Sequence, residues 1–236
     1  MKLLTPGWSN AKLSKTIKNG GAYVPFILHL SPAETARVGY NVCPASTVGC
    51  RTSCLTTSGR GRFGNVITAR QRRTILFMDH QGAFMDMLAY EIGDAARSMD
   101  DVEKVAVRLN GTSDIAWEDI PVGGKKNIFD LFPQVVFWDY TKRPERIVNS
   151  QKDWPDNYHL TFSRSESNER VAKGLLKKGA SVAVVFDRAL PKSYWGRAVV
   201  DGTKDDYRFL DPHNSLVGLI GLGLAKRDTS GFVVRN

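Results

Sequence analysis

The chain has 236 residues, 42% of them hydrophobic, enough to bury a full core, and no linker, repeat or low-complexity tract divides residues 1–236, which read as a single domain. Its 33 Lys and Arg against 24 Asp and Glu leave a net charge of +9, a balance that suits nucleic acid or a phosphorylated small molecule as partner, or plain solubility. Apolar runs are short and interrupted by charge, and the start "MKLLTPGWSNAKLSK" lacks a sustained apolar core, so no membrane span and no secretory signal are expected, and the protein is expected to be soluble in a reducing cytoplasm.

In chain order, the first apolar run is "AYVPFILHL" (22–30), rich in β-branched and aromatic residues and without clean alternation, as in a strand covered on both faces. Lys12, Lys15 and Lys18 precede it; with Arg51, Arg60, Arg62, Arg70, Arg72 and Arg73 they read as solvated charge, with phosphate or nucleic-acid contact as the alternative. Next comes "NVCPASTVGCRTSCLTTSGRGR" (41–62), which holds Cys43, Cys50 and Cys54 in the spacing C-x6-C-x3-C. Its "SGRGR" end has the backbone freedom and charge to hold a phosphate.

Residues 65–99 carry Ile75, Leu76, Met78, Phe84, Met87, Leu88 and Ile92 at helical spacing, and Gly82 is the expected dividing point. Further strands follow at "KVAVRL" (104–109), "QVVFWDY" (134–140), "YHLTFS" (158–163), "SVAVVF" (181–186) and "LVGLIGLGLA" (216–225), with an amphipathic helix at 167–179 closed by Gly179. Asp201, Asp205, Asp206 and Asp211 lack the ligand spacing of a calcium loop, and a hairpin is expected there instead of a cation site. Strand and connector alternating in this way predict a parallel α/β sheet, open or curled into a (β/α) barrel-like, partial TIM-barrel fold with the cysteine loop after its first strand.

In such sheets functional groups gather beyond the carboxyl ends of the strands. Here the second strand runs into "RLNGTSD" with Arg108, Asn110, Thr112 and Asp114; the third into "WDYTKR" with Asp139, Tyr140 and Lys142; the fourth into "FSRSES" with Ser163, Arg164, Ser165 and Glu166. These residues are the candidates for a shared pocket binding a small polar or anionic ligand. Each has a plainer alternative: "NGTSD" as a helix-capping turn, Lys142 with the following "RPER" as solvated surface, and the Ser and Glu of "SRSES" as a helix cap. His29 and His159 are either satisfied core histidines or, for His29, a ligand beside the cysteine loop.

Three thiols leave one over in any disulfide scheme, and a structural zinc site wants four ligands, with no His inside the loop to complete the set. Three soft thiolates in one loop, with Gly49 easing the backbone, suit three irons of a [4Fe-4S] cluster and leave the fourth iron open. Zinc with a distant fourth ligand and merely structural cysteines are the alternatives. G-x-S-x-G, Walker A and H-E-x-x-H motifs are absent, so serine hydrolase, P-loop NTPase and zincin chemistry have no support.

The ordered set "HLSPAETARVGYNVCPASTVGCRTSCLTTSGRGR", "RLNGTSDIAWE", "DYTKR", "YHLTFSRSESN", "VAVVF", "DGTKDDYRFLDP" and "GLGLAKRDTSGFV" resembles the phage gene product 88 family over roughly residues 28–233. The resemblance implies a phage origin, hence an infected host cell as the setting, and carries little established function. A more distant architectural likeness is to radical S-adenosylmethionine enzymes, whose partial barrels carry three cysteines after the first strand. Those enzymes space them C-x3-C-x2-C, which this chain does not. That likeness implies S-adenosylmethionine as a further cofactor on the open iron; a hydro-lyase-like Lewis-acid role is the other catalytic expectation. The competing class is a nucleic-acid-binding or host-interaction protein in which a metal organises the basic cysteine loop without catalysis.

Overall fold

The computed structural model describes residues 1–9, 14, 23–98, 105–150 and 154–236; Lys12, Lys15 and Lys18 lie outside the described residues. Its centre is a nine-stranded sheet built from β1 (Leu4–Pro6), β2 (Val24–Leu28), β3 (Val105–Arg108), β4 (Val136–Thr141), β5 (Tyr158–Ser163), β6 (Val182–Phe186), β7 (Ser193–Tyr194), β8 (Arg197–Asp201) and β9 (Leu216–Ile220). The order is β1-β2-β3-β4-β5-β6-β9-β8-β7. From β2 to β6 and on to β9 and β8 every neighbour is parallel, while β1 and β7 close the two sides as antiparallel partners of β2 and β8. This mixed α/β arrangement puts the carboxyl ends of β2 to β6 along one edge.

Strands β2, β3, β6 and β9 fall inside the apolar runs, β5 coincides with its run, and β4 overruns its own by Thr141. Among the strands, three features depart from the sequence expectations. Strands β1, β7 and β8 are too short or too polar to stand out by periodicity. Residues 201–211 form no hairpin: β8 and β9 are parallel, joined through a 3-10 turn at Arg208–Leu210. The hairpin is β7–β8, closed by Trp195 and Gly196, both at positive φ (52° and 73°), which matches the twist a two-residue strand connection needs. The run 216–225 is a strand only to Ile220 and then turns into a 3-10 helix, Gly223–Arg227, leaving Leu222 and Leu224 exposed.

The helices are α1 (Val48–Thr52), α2 (Gly64–Asp79), α3 (Gln81–Arg97), α4 (Ile128–Leu131), α5 (Pro144–Asn149) and α6 (Glu169–Lys177). The long helical stretch divides at His80 (φ −140°, ψ 57°), not at Gly82, which sits in the first turn of α3. The bend lets Phe77 and Phe84 meet edge-on at 5.2 Å while both pack on Trp117. Helix α6 ends as expected: Gly179 takes φ 99°, its N–H bonds Leu176 O and the Ala180 N–H bonds Leu175 O, so the last carbonyls are satisfied.

Two apolar clusters flank the sheet on its helical side, one joining α2 and α3 to β2–β4 through Leu28, Leu88, Ile92, Val107 and Phe137, the other joining α6 to β5, β6 and β9. Each fully buried Leu, Val or Phe here contributes about 1.5–3 kcal/mol. A smaller aromatic cluster of Ala106, Trp138 and Tyr207, with Tyr23 and Phe209, covers part of the opposite face. No helix among the described residues is long and apolar enough to cross a membrane.

Candidate functional site

The three cysteines lie between β2 and α2, and side-chain hydrogen bonds fix the backbone of Cys43 and of Cys50. The Cys43 N–H bonds the Asn41 side chain (2.8 Å), and its thiol donates to Thr112 O at 3.6 Å in the turn after β3. That turn is laced to the loop after β2, because Gly111 N–H bonds Leu28 O (3.1 Å), Thr112 Oγ1 donates to Leu30 O, and Asp114 N–H bonds Val42 O (2.8 Å).

Cys50 rides on α1. Thr47 caps this helix, its Oγ1 accepting from Cys50 N–H (3.1 Å) and donating to Glu166 Oε2 (2.8 Å); Glu166 Oε1 accepts Gly49 N–H (2.8 Å). Gly49 is required for space, not for backbone freedom: a Cβ there would lie 2.1 Å from Ser230 Oγ and 2.8 Å from Phe232 Cβ. Cys50 itself packs on the cluster of Ala225, Phe232 and Val233. Asp228 holds that carboxyl-terminal segment down, accepting from Val233 N–H (3.0 Å), Ser230 Oγ (2.6 Å) and, from α1's end, Ser53 Oγ (3.4 Å). Cys54 leads into the 3-10 turns Leu55–Thr57 and Gly59–Arg62, where Arg70 Nη2 donates to Gly61 O (2.6 Å).

All three thiols are free and half-buried. Burial first, then the charges of Cys54 and Cys50, bring the Cys43 thiol up to about 12 against a backbone hydrogen bond at Ala33, so both other sulfurs are within electrostatic reach of Cys43. Among the described residues no three His, Cys, Asp or Glu side chains are grouped to hold a metal ion. Beside them the field is positive: burial first, then Arg108, Arg73 and Arg70, bring His29 down to about 3, which keeps the imidazole neutral.

Below the cysteine edge runs a buried polar belt. Asp139, fully buried, accepts from Asn110 N–H (2.6 Å), Asn110 Nδ2 (3.2 Å) and Tyr158 OH (3.0 Å). Desolvation raises its carboxyl to about 7, against the pull of Arg108, the Asn110 N–H, Arg146 and Tyr158. Arg146 joins the parts, donating to Tyr158 OH (2.8 Å), Asp114 Oδ1 (2.9 Å) and both oxygens of Glu118 (2.6 and 2.8 Å). Asp114 also accepts from Thr141 Oγ1 (2.8 Å) and Lys142 N–H (2.9 Å).

The structure thus separates the candidates. Asn110, Asp114 and Asp139 are spent on this belt, and Thr112 on knitting two loops. Arg108 pairs with buried Asp206 (2.7 Å) and lies over the Tyr140 ring (4.8 Å). Arg164 donates to Gly231 O, to Phe232 O (3.0 Å) and to Glu169 (3.2 Å), so it anchors the chain end; Glu166 anchors α1. Lys142 Nζ meets Ser163 Oγ (3.0 Å) and sits 5.5 Å above the Phe232 ring, the same ring that packs toward Cys50. Sequence reasoning missed Arg146, placed in a run read as solvated surface yet 2% exposed, and Glu118, Tyr158, Thr47 and Asp228. The one signal available was Thr47, a hydroxyl three residues before Cys50 and thus at capping distance.

A family model described as Gene product 88 matches residues 1–236. No curated protein and no solved structure matches the chain.

Proposed function

Since the chain belongs to the phage gene product 88 family, whose description states no reaction, we propose from its geometry that it is an iron–sulfur protein in which Cys43, Cys50 and Cys54 hold a [4Fe-4S] cluster at the carboxyl edge of the sheet. The observation that carries this is the set of three free, half-buried thiols in the one loop that follows β2, with Cys50 and Cys54 in electrostatic reach of Cys43. The donor chemistry fits the group: a cubane places its thiolates on different irons, so they stand farther apart than ligands converging on a single ion. The unbroken parallel order from β2 through β6 supports a partial (β/α) barrel with this edge as its mouth.

Bound there, the cluster would supply an iron with an open coordination position, able to take an exogenous small polar ligand such as S-adenosylmethionine or a hydroxy acid. Lys142 and Ser163 do the work the chain itself can do at that mouth: they present an ammonium and a hydroxyl from neighbouring strand ends, adjacent to Phe232, and so orient an anionic group of the ligand. Glu166, Thr47 and Asp228 set the position of Cys50.

Anaerobic purification or reconstitution followed by iron and sulfide analysis tests the reading. About four of each per chain are expected, with loss of both in Cys50→Ala. Zinc in their place, or equal metal content in wild type and variant, overturns it.

A further inference from the structure

Residues 35–78 contain seven arginines and no lysine, aspartate or glutamate, so most of the net +9 sits in the segment that carries the cysteines. The fold adds two more cations to that segment. The 3-10 helix Gly223–Arg227 packs against residues 55–57, with Leu224 N–H bonding Thr57 Oγ1 (3.2 Å). Arg51, Arg60, Arg62, Lys226 and Arg227 are all exposed, and no ion pair among the described residues engages them. Two carboxylates that bond this region, Glu166 and Asp228, are spent on α1 and on the chain end.

The same rim leaves large apolar side chains in water: Leu55 (52% exposed), Phe63 (55%), Leu222 (48%) and Leu224 (48%). Arg51 Nη1 donates to Ser46 O (2.9 Å), which leaves the rest of its fork to solvent; guanidinium groups outside ion pairs match phosphate oxygens through a planar fork of donors, which lysine lacks. Apolar and aromatic side chains set between them suit unstacked bases, which a duplex hides and a single strand offers.

We propose that this basic, apolar rim beside the cysteines is a docking surface for single-stranded nucleic acid, with phosphates on Arg51, Arg60 and Arg62 and bases against Phe63, Leu55 and Leu224. The inference is independent of what the thiols hold. Binding of a labelled oligonucleotide of about 12 nucleotides, followed by fluorescence anisotropy over a salt series in wild type and in Cys50→Ala, tests it.

Affinity should fall with salt, and the combined change Arg51→Gln, Arg60→Gln, Arg62→Gln should weaken binding by tenfold or more and make the log–log salt slope shallower by about 2, from ~0.7 per phosphate contact. Phe63→Ala should weaken binding by about tenfold with the slope unchanged. Removing equal charge from α6 and its C-cap by Arg170→Gln, Lys177→Gln and Lys178→Gln should leave binding intact. Equal loss from the α6 change would mean net charge alone is at work, and displacement of the strand by duplex or by polyglutamate as readily as by unlabelled strand would mean a different anionic partner; either outcome overturns the proposal.

Discussion

The buried belt around Asp139 and Arg146 and the cysteine edge above it are both polar, both assembled from loops after parallel strands, and opposite in how their polar groups are used. In the belt, Asn110, Asp114, Glu118, Thr141 and Tyr158 satisfy one another around two buried charges. At the edge, three thiols, Lys142 and a rim of arginines keep most of their bonding capacity. A polar residue at the carboxyl end of a strand is therefore no sure mark of a ligand site, because closing several long connections over one sheet edge itself demands a satisfied polar framework.

The sharpest way to break the contrast is at Arg146. Arg146→Met strands Asp114 and Glu118 with buried charge, and should cost about 3–5 kcal/mol, lowering the melting temperature by on the order of 10 °C. A melting curve checks it; a loss under about 1 kcal/mol would put the belt on the same footing as a surface ion pair.

Glu166→Ala comes next, because it removes a carboxylate shared by Thr47 and Gly49. The expected cost is about 1–2 kcal/mol, with faster amide hydrogen exchange confined to residues 47–53. Exchange that accelerates throughout the sheet would show that Glu166 supports the fold at large and not α1.

Asp139 sharpens the comparison through pH. Its folded value of about 7 lies above the ordinary 3.8, so the folded state binds its proton more tightly than the unfolded chain. The contribution favours folding at low pH and is lost as pH rises from about 4 through 7. Asp139→Asn should flatten the fall in stability across that window, seen in denaturant midpoints at a series of pH values. An unchanged slope would show that some other group governs it.

The smallest effect is expected at the edge itself. In metal-free protein, Cys50→Ala should change stability by less than about 1 kcal/mol, since the thiol is half-buried and its backbone bonds are kept. A loss as large as that of Arg146→Met would make the cysteine a core residue and remove the difference between the two regions.

Much of the framework was legible in local pattern. Apolar runs without alternation located the strands β2 to β6, Gly179 marked the end of α6, and a cluster of cysteines after the first long run located the edge. The break at His80 was not legible, because it answers to the packing of Phe77 and Phe84 on Trp117, some 33 to 40 positions further along the chain. Nor was the role of Arg146, whose neighbours Arg143, Pro144 and Glu145 have the composition of a solvated turn.

By itself the amino-acid sequence determined the alternation of strands and connectors, the place of the three thiols within it, the concentration of charge in residues 35–78, and membership of the family. Only the tertiary structure decided which polar residues are consumed and which are left available. The reason is physical: periodicity and capping act over a few residues, whereas the bonds that spend Asn110 on Asp139, Asp114 on Arg146 and Glu166 on Gly49 span 29, 32 and 117 positions and exist only once parallel strands are in register.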